Sequence, residues 1–117
     1  MKEFYYYFRD KDRHPRITVC LIENGSCYHR GISLCSFSEK ELSKERGRRT
    51  ARSRAIRAMY TFSNSSPALR KESHEVLKAC NVPFGLFVPY EEFKSMYKVE
   101  LTPFEQKLVD YGKEKSV

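Results

Sequence analysis

The chain lacks any apolar run long enough to cross a membrane, and it has no charged-then-apolar leader ending in small residues. A membrane partner is therefore not expected, and a cytoplasmic setting is. The common catalytic signatures are missing too. There is no glycine-rich P-loop, no H-E-x-x-H and no G-x-S-x-G. His14, His29 and His74 have no evident nucleophile or carboxylate dyad beside them, so the expectation is a protein that is not an enzyme and needs no cofactor. The four cysteines contain no C-x-x-C pair, which argues against structural zinc and for reduced thiols. No internal repeat and no long linker divides the 117 residues, so one domain spanning 1–117 is expected. Acidic residues are also in short supply. Fifteen Asp and Glu face 22 Lys and Arg, a formal charge of +7, which favours anionic partners.

Aromatic residues are plentiful. Eight Phe and eight Tyr, with 40% hydrophobic content, argue for a packed core rather than disorder. Residues 3–9 read as an aromatic strand, and Ile17 to Ile22 as a strand rich in β-branched residues. Asn24-Gly25 is a strong hairpin signal, returning residues 26–35 as a third strand. A two-residue turn centred on Asn24-Gly25 pairs Leu21 with Tyr28, Val19 with Arg30 and Ile17 with Ile32. Those residues and Leu34 then share one sheet face, with Thr18, Cys20, Ile22, Cys27, His29, Gly31, Ser33 and Cys35 on the other. This register sets Cys20 opposite His29.

A helix follows, read over residues 38–61, with Ser36 or Ser38 as its cap and Glu39 and Glu41 in its first turn. Six arginines fall between Arg46 and Arg57, interleaved with small residues. At helical spacing, Gly47, Ala51, Ala55, Ala58 and Phe62 form one stripe, narrow enough for the backbone to approach the sheet closely. Arg46, Arg49, Ser53 and Arg57 fall opposite, with Arg48, Arg52 and Arg54 on the flanks. Arginine stays charged and presents a planar fork that suits phosphate. Arg46, Arg49, Arg52 and Arg57 are therefore candidate ligands for an anion, and mid-strand Arg30 joins them. Leu42 and Ile56 fall off the small stripe and are assigned to a second subunit.

Ser66-Pro67 begins a second helix over residues 67–80, ended by Asn81 and Pro83. Its apolar stripe holds Leu69, Val76, Leu77 and Cys80. Phe84-Gly85-Leu86-Phe87 reads as an apolar loop, with Phe84 and Phe87 as candidate platforms for a base. Tyr5, Tyr7 and Tyr28 are others. Residues 90–98 read as a short helix. Thr102-Pro103-Phe104-Glu105 matches a capping box, opening a last helix to Tyr111 with Gly112 as its stop. The expected fold is α+β: an N-terminal antiparallel sheet of three or more strands, the arginine-rich helix, then two or three further helices.

Two resemblances attach to this order. Arg30-Gly31-Ile32-Ser33-Leu34-Cys35 followed by Arg46-Gly47-Arg48-Arg49-Thr50-Ala51 resembles the end of a double-stranded-RNA-binding domain, where a basic helix start after three strands contacts phosphates. The first helix of that domain is missing here, and other helical segments follow instead. In size and element order the chain is also similar to the phage-encoded anti-Thoeris sponges, which sequester cyclic ADP-ribose signals to counter bacterial defence. That resemblance implies a homo-oligomer in which arginines hold a pyrophosphate and an aromatic stacks on the base, with Arg57, Arg30 and Phe84 as occupants. Three functions therefore stand as expectations. The first is sequestration of a phosphate-rich nucleotide; the others are binding of RNA or DNA by residues 44–58 and inhibition of an acidic protein partner.

Overall fold

The computed structural model describes residues 1–35, 37, 42–61, 71–82 and 101–115. Three antiparallel strands, β1 (Lys2–Arg9), β2 (Pro15–Asn24) and β3 (Cys27–Leu34), form a sheet in the order β1-β2-β3. Among the described residues three helices follow: α1 (Lys44–Thr61), α2 (Lys71–Ala79) and α3 (Pro103–Lys115). The α+β class and the N-terminal sheet are as the sequence implies. Among the described residues no helix is long and apolar enough to cross a membrane.

The β2–β3 hairpin closes one step later than Asn24-Gly25 suggests. Asn24 pairs with Cys27, so Leu21 faces Arg30, Val19 faces Ile32 and Ile17 faces Leu34. Gly25 has φ of +66° while Asn24 is not in the left-handed region. One glycine at the first central position is the II′ pattern, with Gly25 and Ser26 at the tip; an Asn-Gly I′ turn would need positive φ at both. The slip is two residues, so the faces survive while the partners change. Cys20 lies opposite Gly31, and His29 opposite Ile22, which removes the expected Cys20–His29 pair.

Each sheet face carries its own core. On one, Tyr6, Ile17, Val19 and Ile32 pack with Val76 and Cys80 beyond α1's reach, joined by Phe8, Leu34, Leu77, Val82 and Leu108. On the other, Cys20 and Ile22 meet Ala51 and Ala55 of α1, with Tyr5, Ile56 and Met59 at the margin. The sheet is thus sandwiched between α1 and the pair α2 and α3. Ile56, assigned above to a second subunit, is absorbed into this second core.

α1 begins at Lys44 rather than at 38. Ser43 is the cap: its Oγ accepts the Arg46 N–H at 3.1 Å and its carbonyl accepts the Gly47 N–H at 3.0 Å. Ser36 and residues 38–41 lie outside the described residues, as do Phe62, Ser66, Pro67, Leu69 and the helix expected at 90–98. α2 ends as expected at Asn81, whose φ is +50°. The Val82 N–H bonds the Leu77 carbonyl and the Asn81 N–H that of Lys78, the two bonds of a Schellman ending.

α3 opens on the expected capping box. Glu105 Oε1 accepts the Thr102 N–H at 2.9 Å, and Thr102 Oγ1 accepts the Glu105 N–H at 3.2 Å. It does not stop at Gly112 but continues to Lys115. A Cβ at Gly112 would sit 3.0 Å from the Phe4 ring, so this glycine serves helix-to-sheet contact rather than helix termination.

The thiols divide by depth. Cys20 and Cys80 are buried, Cys35 is half-buried and Cys27 is exposed. Burial pushes the Cys20 thiol up to about 11. Native protein is therefore expected to show one fast thiol toward Ellman's reagent, Cys27, and a slower one, Cys35. Cys20 and Cys80 should react only as the protein unfolds. Fast reaction of Cys20 in native protein would contradict its place beneath α1.

Candidate phosphate-binding site

α1 is a highly charged helix, with Lys44 and six arginines against Glu45 in 18 residues. Such a helix docks only if one face is free of charge and small. Ala51, Ala55 and Ala58 supply that face and are at most 1% exposed. Gly31 of β3 completes the fit: a Cβ there would lie 2.0 Å from the Ala51 carbonyl oxygen and 2.3 Å from the Ala55 nitrogen. Helix backbone thus rests directly on strand backbone.

The cations then fall into two sets. Those flanking the small stripe are straps. The Arg48 Nε donates to the Tyr7 hydroxyl, and the guanidinium also lies over the Tyr5 and Tyr7 rings at 5.3 and 5.7 Å. The Arg52 Nε donates to Glu3 Oε1 at 2.9 Å, a bond that holds the Glu3 carboxyl below its ordinary value. On the opposite flank, Arg54 reaches β3, donating to the Ile32 carbonyl at 2.6 Å. Burial and the charge of Arg57 pull the Arg54 guanidinium down from its ordinary value. These three bind α1 to both outer strands. Arg46, Arg49 and Arg57 are exposed on the far side of the helix. Arg49 is shared with Glu45 at 3.4 Å, both side chains being largely in water, so that pair holds little against a competing phosphate.

The residues read from the sequence as ligands therefore do not converge. Arg46, Arg49 and Arg57 share the outward face; Arg52 is engaged with Glu3. Arg30 lies across the sheet from α1 and is 2% exposed. Its Nε donates to Glu105 Oε2 at 2.9 Å and its Nη2 to Glu105 Oε1 at 2.5 Å. Arg30 is a core residue that anchors α3, and the sheet separates it from Arg57. Its hydrophobic neighbours were the visible signal of burial, but its partner is 75 positions away in sequence. Phe84 and Phe87 lie outside the described residues. Tyr5 and Tyr7, named as platforms, are roofed by Arg48 and Lys44.

Sequence reasoning missed a cavity of about 240 Å³ at the head of α1. Arg16, Arg46 and Arg54 line it, with Ser33, Ser43 and Thr50 among the rest. Leu42, assigned above to a second subunit, is also in its wall. Arg16 comes from β2 and carries no signal of its own in the sequence; only the fold brings it to α1. Its Nε donates to Asp10 Oδ2 at 3.1 Å. The Asp10 carboxylate also accepts the Asp12 and His14 N–H groups, at 2.9 and 3.0 Å. Asp10, Asp12 and His14 are close enough together to be considered as metal ligands. The donors already on Asp10 make that cluster a turn that orients Arg16.

No protein-family model, curated protein or solved structure matches this chain.

Proposed function

We propose that this protein binds a phosphate-rich ligand without chemical turnover, and that the ligand lies along the outward arginines of α1. The division of α1's cations supports this reading. Arg48, Arg52 and Arg54 are used to fix the helix, whereas Arg46, Arg49 and Arg57 are exposed, Arg46 at the edge of the cavity. From Arg46 to Arg57 the stripe runs about 16 Å along the helix. A convex, linear row of guanidiniums suits a sugar–phosphate backbone, so RNA or DNA is the ligand the geometry favours. The alternative is the compact nucleotide signal of the sponge resemblance, which would meet the same arginines with one copy per chain or per dimer.

Salt separates the two. Three phosphate contacts predict a slope of log K against log salt of about −2.7, roughly a fortyfold loss between 50 and 200 mM. The measurement is fluorescence anisotropy on short duplex and single-stranded oligonucleotides. Arg57→Glu is expected to abolish binding, and Arg49→Gln to weaken it and reduce the slope by about 1. Unchanged affinity in Arg57→Glu would remove the outward face from the site. A stoichiometric, weakly salt-dependent thermal shift with a cyclic ADP-ribose isomer alone would make the protein a nucleotide sponge instead.

A further inference from the structure

We infer that the cavity at the head of α1 is a second, separate binding site, one that takes a terminal phosphate monoester. It is not part of the outward stripe, although Arg46 stands between the two and serves both. Its charge points to the ligand. Three guanidiniums, Arg16, Arg46 and Arg54, line it, and no carboxylate does among the described residues. Asp10, outside the lining, holds Arg16 through Nε. With Asp10 counted, a surplus of two positive charges remains among the described residues. Near neutral pH a phosphate monoester carries close to two negative charges, whereas a diester inside a nucleic-acid chain carries one.

Pre-organisation supports the same conclusion. Arg16 is held by Asp10, and Arg54 by the Ile32 carbonyl at 2.6 Å. Arg16 also lies over the Phe37 ring at 4.7 Å. Arg54 uses Nη1 for the Ile32 carbonyl and keeps other donors of its fork. The Arg46 guanidinium has no ion-pair partner among the described residues. Hydroxyls of Ser33, Ser43 and Thr50 stand in the same wall and supply further donors. Size narrows the ligand. At about 240 Å³ the cavity holds the volume of about eight waters, below the roughly 300–1,000 Å³ of sites that enclose a drug-sized molecule. It accommodates a phosphate and the few atoms next to it, so the rest of the ligand projects outward. A chain end fits; the middle of a strand does not.

The test compares one oligonucleotide carrying a 5′-phosphate with the same oligonucleotide ending in a 5′-hydroxyl, at fixed salt, and titrates glycerol 3-phosphate and inorganic phosphate by calorimetry. The 5′-phosphate is expected to tighten binding about tenfold, the effect of one well-made charged contact. Thr50→Leu fills the cavity and removes a hydroxyl while leaving every charge in place. It is expected to erase the preference and the glycerol 3-phosphate signal, with affinity for the 5′-hydroxyl oligonucleotide unchanged. Arg49→Gln should weaken both oligonucleotides equally and keep the preference. Urea unfolding of each variant confirms that it folds. Inorganic phosphate binding without glycerol 3-phosphate would mean that the cavity takes the free ion only, and would overturn the proposal. If neither oligonucleotide binds but glycerol 3-phosphate does, and Thr50→Leu abolishes it, the cavity stands and the nucleic-acid reading of the outward face falls. Absence of both the 5′-phosphate preference and glycerol 3-phosphate binding would overturn the inference.

Discussion

Gly31→Ala should cost this protein about 3 kcal/mol or more, well beyond the usual effect of adding one methyl group. The new Cβ would lie 2.0 Å from the Ala51 carbonyl oxygen and 2.3 Å from the Ala55 nitrogen. Both are helix backbone, so no side-chain rotation relieves the overlap. α1 must rise off the sheet, and overpacking of that kind costs about 1–3 kcal/mol even where neighbours can adjust. Lifting the helix also uncovers Ala51 and Ala55 and stretches the Arg54 bond to β3. Gly47→Ala is the internal control. There the clash, at 2.6 Å, is with the Thr18 hydroxyl, the end of a side chain. Gly47 stands at the first turn of α1, its N–H already bonded to the Ser43 carbonyl, and within a helix alanine gains up to about 1 kcal/mol over glycine. Gly47→Ala is therefore expected near neutral. Urea titration of the two variants gives the comparison. Equal stabilities would mean that α1 does not rest on Gly31.

That contact also shows how much of the molecule was legible in the chain. The Gly47, Ala51, Ala55, Ala58 stripe has a period, so both its burial and the outward turn of Arg46, Arg49 and Arg57 were readable. The Thr102–Glu105 capping box and the Asn81 stop were readable because each is a local rule with its partners within a few residues. What failed was of two kinds. Some signals had two local solutions. Asn24-Gly25 serves equally well as the centre of a turn or as its first half, and the choice moved every β2–β3 partner by two. The helix start was read at Ser36 or Ser38, and Ser43, passed over, is the one that caps. Other features had no local signal at all. Arg52 pairs with Glu3 and Arg30 with Glu105, across 49 and 75 positions. The cavity likewise needs Arg16 from β2 beside Arg46 and Arg54 from α1. An arginine is written the same way whether it will strap a helix, bury an ion pair or meet a ligand, and only the fold assigns it.

Glu105→Ala should be the most damaging single change on the other side of the sheet, at about 3–5 kcal/mol, because it strands Arg30 as an uncompensated buried charge. Glu105 is 0% exposed and Arg30 2%. Its two oxygens accept from four donors. Oε1 takes the Thr102 N–H at 2.9 Å and Arg30 Nη2 at 2.5 Å. Oε2 takes the Tyr6 hydroxyl at 2.7 Å and Arg30 Nε at 2.9 Å. One side chain thus caps α3, anchors it to β1 and neutralises β3. The double variant Arg30→Met with Glu105→Leu removes both charges and is expected to recover much of the loss, since apolar replacement of a whole buried pair is often neutral or better. It still gives up the cap and the Tyr6 partner, so full recovery is not expected. Acid gives an independent readout. Burial pushes the Glu105 carboxyl up, but the hydrogen bonds and charge of Arg30, with the Thr102 N–H and the Tyr6 hydroxyl, outweigh it and hold the group below its ordinary 4.5. The folded state then binds fewer protons here than the unfolded state, so this contribution is complete above pH 4.5 and lost as pH falls through the lowered folded value. Glu3 and Asp10 are lowered too and titrate in the same direction. The difference between wild type and the double variant isolates the pair. Stability of the double variant should fall less steeply below pH 4.5. Parallel curves would mean that Glu105 is protonated in the folded protein and that the Arg30 charge is balanced elsewhere.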